Sequence, residues 1–205
     1  MTYFITLEGP EGCGKSTQAV TLCAEMKRRG YDVLHTREPG GTPIGEQIRR
    51  VLMDLENTSM LPRVEVLLFS ASRAQHVRDV ILPHLQQGGV VVCDRFYDST
   101  LAYQGYGHGL DVEALRTITA FATDGLVPDL TLLLDLPIED GLLRKQNEGE
   151  WNRLDAYDLP FHRRVREGYL QLAEAEPERW HRVDASHTID DVQEAIQEIV
   201  FQRLT

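Results

Sequence analysis

The chain has 205 residues, 42% hydrophobic and 26% charged, the proportions of a soluble globular domain; disordered, collagen-like and disulfide-scaffold classes are excluded, and one domain over 1–205 is expected. Its 32 Asp and Glu against 21 Lys and Arg give a net charge of -11, which argues against a general nucleic-acid or anionic-membrane surface, so an anionic substrate would need a local basic site. Three cysteines, Cys13, Cys23 and Cys93, follow no metal-ligand spacing, which implies no disulfide framework and a reducing, cytoplasmic setting.

Tyr3 to Leu7 is a short β-type run that reaches Glu8 and Gly9 too soon for a signal-peptide core, and no 18-residue apolar run follows; the chain is expected to be neither exported nor membrane-spanning. A glycine-rich turn leads into a helical pattern from Ser16 to Arg29. Asp32 to Thr36 reads as a strand, and Thr42-Pro43 as the cap and first turn of a helix through about Leu52. Pro62 to about Gln87 is a long helical pattern closed by Gly88-Gly89, after which Val90 to Cys93 is apolar on both faces, the mark of a buried strand. Helices are expected around Ser99 to Tyr103 and from Asp111 to Thr123, and a buried strand at Leu130 to Leu134. Residues 138–175 read as helix with a polar break at 147–152, expected on the surface. Trp180 to Val183 forms a last strand, and Thr188 with Asp191 resembles a capping box before a final helix. About five strands alternate with helices, so the expected fold is α/β, a three-layer parallel sheet covered on both faces.

Gly9-Pro10-Glu11-Gly12-Cys13-Gly14-Lys15-Ser16 matches G-x-x-x-x-G-K-[ST] between a predicted strand and helix, the context in which that pattern makes a phosphate-binding P-loop. Backbone N–H groups of residues 9–17, through Thr17, can turn inward on phosphates at a helix N-terminus. Lys15 can reach β and γ oxygens and Ser16 can ligate Mg²⁺; Cys13 is a small filler. Asp94-Arg95 stand at the end of a buried strand, where ligands sit in such sheets: Asp94 can organise Mg²⁺ and Arg95 can fork onto a second phosphate. Neither N-K-x-D nor D-x-x-G occurs, which disfavours a switch GTPase.

The P-loop, together with Leu7 to Gly12, Arg37-Glu38-Pro39-Gly40-Gly41-Thr42, Phe69 to His76 and Asp94-Arg95-Phe96 with Ser99, Ala102, Tyr103 and Gln104, resembles the bacterial thymidylate kinases, P-loop nucleoside monophosphate kinases, over almost the whole chain. The resemblance implies Mg²⁺-dependent phosphorylation of dTMP to dTDP by ATP in a cytoplasmic homodimer, with no nucleic-acid or membrane partner. It implies that Phe69 stacks on thymine and Arg73 donates to its O4, where cytosine carries a donor of its own and arginine has no acceptor to meet it. It places Ser99, Thr100 and Gln104 along the base, Tyr103 against the sugar 2′ position, Glu11 on the 3′-hydroxyl, and Arg37, Arg49 and Arg95 around the acceptor nucleotide. His76 and the run His162-Arg163-Arg164 with Arg166 read as structural, the run as a solvated helix face.

With Gly12 in the P-loop, the chain resembles the subgroup that supplies a catalytic arginine from a lid, here about 144–155. The candidates are Arg153 first, Arg144 second, then Lys145. The lid departs from the family pattern: Glu148-Gly149 stands where an arginine often precedes the glycine, and Asn152-Arg153-Leu154-Asp155 replaces D-R-x-E. Alternatives are a P-loop kinase for another pyrimidine monophosphate or a deoxynucleoside, or a non-kinase ATP-dependent switch.

Overall fold

A computed structural model describes residues 2–149 and 151–204, with Glu148 as backbone. Within these, strands β1 (Tyr3–Glu8), β2 (Val33–Arg37), β3 (Val90–Asp94), β4 (Leu130–Asp135) and β5 (Trp180–Asp184) form one sheet in the order β2-β3-β1-β4-β5. Every neighbouring pair is parallel, so each connection must cross over a face, and helices cover both faces. Residues alternate between two cores. Ile5, Leu7, Val90 and Val92 pack with Ala19, Leu22 and Met26 of α1 (Lys15–Arg28). Phe4, Val91 and Cys93 face the other way onto Val77, Ile81 and Leu85.

The remaining helices fall where the patterns put them, with small shifts. Thr42 caps α2 (Pro43–Met53), accepting from Gly45 N at 2.9 Å. The long predicted helix is α3 (Pro62–His76), a π-helical stretch Val77–Ile81, and α4 (Leu82–Gln86). After β3, α5 (Tyr97–Thr100) passes into a second π-helical stretch, Leu101–Gly107, and Asp111 caps α6 (Val112–Thr123). Thr188 caps α9 (Ile189–Arg203), accepting from Asp191 N at 3.2 Å.

The break after α7 (Ile138–Glu148) differs from expectation. It runs on to Asp158, whose side chain accepts from Phe161 N and opens α8 (Leu159–Ala175). The expected stretch 147–152 holds no buried residue among those whose burial is described, whereas the added stretch does: Arg153, Leu154 and Asp155 are buried. The physical reason is tertiary, since Arg153 N and Nε donate to the carbonyls of Met53 and Leu52 at the end of α2. Glu150, inside the expected lid, lies outside the described residues. The basic run of α8 is likewise only partly solvated: His162 is buried, while Arg164 donates to Gly107 O and Arg166 pairs with Asp135.

Candidate active site

The chain turns back across β1 to reach β4, so the loops after β1 and β3 share one end of the sheet at the point where strand order reverses, the crevice such sheets use for ligands. One cavity there is lined by P-loop residues, the loop after β2, Phe69, the turn after β3 and part of the break before α8.

Gly9, Gly12 and Gly14 hold φ of 143°, 68° and 91°, values that side chains with a Cβ rarely adopt. The loop also packs backbone against backbone on α7: a Cβ on Gly12 would overlap the Gly141 carbonyl, and one on Gly141 the Glu11 carbonyl. Lys15 Nζ donates to Gly9 O at 3.2 Å and Pro10 O at 2.7 Å, with Cys13 Sγ at 3.3 Å. Glu11, Gly12, Gly14, Lys15, Ser16 and Thr17 line the cavity. Gly9, Pro10 and Cys13 are buried behind it, and Pro10 has no N–H to offer a phosphate. Ser16 Oγ donates to Asp94 Oδ2, so a hydroxyl and a carboxylate, hard oxygen donors suited to Mg²⁺, adjoin at the cavity wall.

Arg95 leaves β3 in a left-handed conformation, φ 69°, uncommon for a residue with a side chain and held only where surroundings over-determine it. Its Nη1 donates to Gly9 O, Ser99 Oγ and Tyr169 OH at 3.1, 3.1 and 3.0 Å, its Nη2 to Glu11 Oε1 and Tyr103 OH at 2.9 and 3.2 Å. Burial pushes the Glu11 carboxyl up, but Arg95 and Lys15 outweigh it and hold it at about 2. The result is a charged cluster at the P-loop rim, able to orient a second anionic group beside the first.

Phe69, Thr100, Gln104, Arg37 and Arg49 also line the cavity. Phe69 is therefore half-exposed to it rather than core. Arg37 pairs with Glu46 at 3.3 Å, and Arg49 Nη1 donates to Pro39 O at 3.0 Å. Arg73 does not line the cavity; it is buried one layer behind, with Nε on Glu38 Oε2 at 2.7 Å, Nη1 on Thr100 Oγ1 at 3.2 Å and Nη2 on Phe96 O at 3.3 Å. His76 is structural, sharing hydrogen bonds with Glu38 and Thr36.

The lid arginines are placed otherwise than the sequence suggests. Arg153 is buried, its Nη1 on Glu65 Oε1 at 2.6 Å and on Tyr157 OH at 3.0 Å, and it lines no part of the cavity. A guanidinium neutralised this way cannot meet a phosphate without breaking a buried ion pair. Arg144 Nη1 donates to Ala185 O at 3.2 Å, also away from the cavity. Lys145 lines it, with Asn152 and Leu154.

Tyr169, which Arg95 meets, and Glu8, which holds Ser99 and Tyr169 in place, escaped the sequence reading. Tyr169 of α8 had no signal beyond helical apolar spacing. Glu8, the last residue of β1, is fully buried and accepts from Phe96 N at 2.7 Å, Ser99 Oγ at 2.6 Å and Tyr169 OH at 3.0 Å. A carboxylate closing an apolar strand beside a P-loop was the available signal. Burial and the Asp98 charge push it up to about 7, against opposing pulls from Arg95, Ser99 and Phe96.

Known proteins resemble this chain along its whole length. The thymidylate kinase family model matches residues 7–196. The thymidylate kinase of Roseiflexus castenholzii is 53% identical, covering 98% of this chain and 93% of its own. That of Deinococcus radiodurans is 51% identical, covering 98% and 97%. The crystal structure of thymidylate kinase from Ehrlichia chaffeensis superposes with a TM-score of 0.80 at 32% identity, covering 97% of each chain. With its P-loop, its strand-end Asp94-Arg95 and these relatives, the chain belongs to the thymidylate kinase family.

Proposed function

We propose that this chain transfers the γ-phosphoryl group of ATP to the 5′-phosphate of dTMP, giving dTDP and ADP. The observation that carries the reading is that one cavity joins a P-loop, the Arg95 cluster and a base-sized wall of Phe69, Thr100 and Gln104. An oxygen of the dTMP phosphate, already anionic, attacks the γ-phosphorus as its bond to the ADP oxygen breaks; no covalent enzyme intermediate is needed. Catalysis is then positioning and charge. The P-loop amides and Lys15 hold the donor phosphates, and Arg95 exchanges carbonyl and hydroxyl acceptors for the acceptor phosphate, oriented by Glu11 and Tyr103. Ser16 and Asp94 would hold Mg²⁺, which when bound would neutralise charge on the donor phosphates. Phe69 stacks on the base, and Arg73, one layer behind the cavity with its donors on Glu38, Thr100 and Phe96, acts on the base through Thr100 rather than by touching O4. Among the lid bases, Lys145 has the place from which to reach the transferred group.

The reading takes 1–205 as one kinase domain with a lid at about 144–155. It takes the chain as a cytoplasmic homodimer: the described cysteines are free and buried, no described helix is long and apolar enough to cross a membrane, and Leu61, Leu67 and Phe121 are exposed apolar side chains at the start of α3, on α3 and on its neighbour α6, suited to burial against a second copy. Relative kcat/KM for dTMP, dUMP, dCMP and dGMP with ATP tests the function. Preference for dTMP is expected; no turnover of dTMP with turnover of another monophosphate overturns the substrate, and ATP hydrolysis with no phosphorylated acceptor overturns the kinase reading.

A further inference from the structure

Glu65 of α3 is a carboxyl with no exposure that the proposed chemistry does not use. Its Oε1 accepts from Arg153 Nη1 and Tyr157 OH, each at 2.6 Å. Its Oε2 accepts from Gln104 Nε2 at 2.9 Å and lies 3.5 Å from His108 Nε2. Burial would raise the carboxyl, but nearby His108 and the hydrogen bonds from Tyr157 and Arg153 prevail and hold it at about 2, so it is ionised at neutral pH. A carboxylate only accepts hydrogen bonds, and an amide offers NH₂ at one end and C=O at the other. The end of Gln104 turned to Glu65 must be the nitrogen, which leaves Oε1 as the amide's remaining polar atom in a side chain that lines the cavity.

We infer that Glu65 is a positioning residue for base selection: by holding the Gln104 amide nitrogen it keeps the Gln104 carbonyl oxygen toward the base, so the site favours a pyrimidine that donates from ring N3 over one that accepts there. Thymine and uracil carry N3–H; cytosine offers a lone pair at N3 and would face the Gln104 oxygen with no proton between them. Reversing the amide to suit cytosine would set a carbonyl against the buried carboxylate, two acceptors in contact. The inference rests on the dTMP reading above.

The test compares kcat/KM for dTMP, dCMP and a dTMP analogue with C–H in place of ring N3–H (3-deaza), with ATP, on the unmutated chain, Glu65→Gln and Gln104→Leu. If the unmutated chain does not phosphorylate dTMP, the proposed function itself has failed, a result separate from those that follow. Given turnover, the analogue should lose about 10-fold or more on the unmutated chain, as expected for one unmet buried acceptor. In Gln104→Leu that penalty should vanish. Glu65→Gln gives a neutral partner that tolerates either amide orientation, so the dTMP to dCMP ratio should fall about 10-fold, mainly through KM of the monophosphate, with KM for ATP unchanged. Should Glu65→Gln fail to fold because Arg153 loses its counter-charge, the double variant Glu65→Gln with Arg153→Met replaces it and the analogue comparison stands alone on the unmutated chain. An unchanged ratio in a folded variant, or an analogue used as well as dTMP by the unmutated chain, overturns the assignment.

Discussion

Arg95 shows how much of a site can hang on one side chain. Its left-handed backbone turns it out of the β3 path, and Glu11, Tyr103, Tyr169, Ser99 and the Gly9 carbonyl fix the guanidinium plane. Lysine carries the charge but not the fork. Arg95→Lys should therefore lower kcat/KM for dTMP by about 10–100-fold, from lost charge-assisted bonds, with KM for ATP nearly unchanged; steady-state kinetics with each substrate varied separates the two. Among the lid bases, Lys145→Met should reduce kcat by about 100-fold or more if it meets the transferred group, whereas Arg144→Met should change it little. Arg153→Met should instead lower the unfolding midpoint, because it leaves Glu65 buried without its cation, a change that typically costs about 3–5 kcal/mol. Denaturant titration beside kinetics tells these apart.

At the scale of elements, α7 meets the P-loop backbone to backbone. Gly141 sits inside it, where alanine would ordinarily favour the helix by about 1 kcal/mol. Here the added Cβ would overlap the Glu11 carbonyl, and backbone cannot yield as a flexible side chain can. Gly141→Ala should thus raise KM for ATP and lower stability by about 1–3 kcal/mol, checked by kinetics and thermal unfolding; a stabilised, fully active variant would show that the loop and α7 part easily. The same contact explains a limit of sequence reading. Strand, loop and helix around the P-loop were legible because local periodicity, glycines and a Lys-Ser pair are contiguous. The extension of the break beyond Asn152 was not legible, because it depends on Arg153 meeting α2 and Glu65, partners 88–101 residues away. Its polar composition carries no trace of that pairing.

For the whole molecule, charge and titration set the balance. The net charge of -11 does not describe the cavity, where Lys15, Arg37, Arg49, Arg95 and Lys145 outnumber Glu11, Glu38 and Asp94. Glu8, raised from 4.5 to about 7, keeps a proton in the folded state that the unfolded chain has released. Its contribution therefore falls as pH rises from about 4.5 to 7. Glu11 and Glu65, held at about 2, act the other way: their contribution is present above 4.5 and lost as pH falls toward 2. Melting temperatures at pH 5 and pH 8 should differ less in Glu8→Gln than in the unmutated chain, since the amide mimics the protonated carboxyl at both; an equal difference would place that pH dependence elsewhere.

The sequence by itself determined the alternating strands and helices, the P-loop, the Asp94-Arg95 strand end and, through resemblance, the family, because each is written in contiguous residues whose chemistry acts locally. The tertiary structure alone decided which cations face the cavity. Arg73 stands behind Thr100, Arg153 pins the lid to Glu65, and Tyr169 and Glu8 shape Arg95, because those roles depend on which buried partner neutralises each charge once distant segments meet.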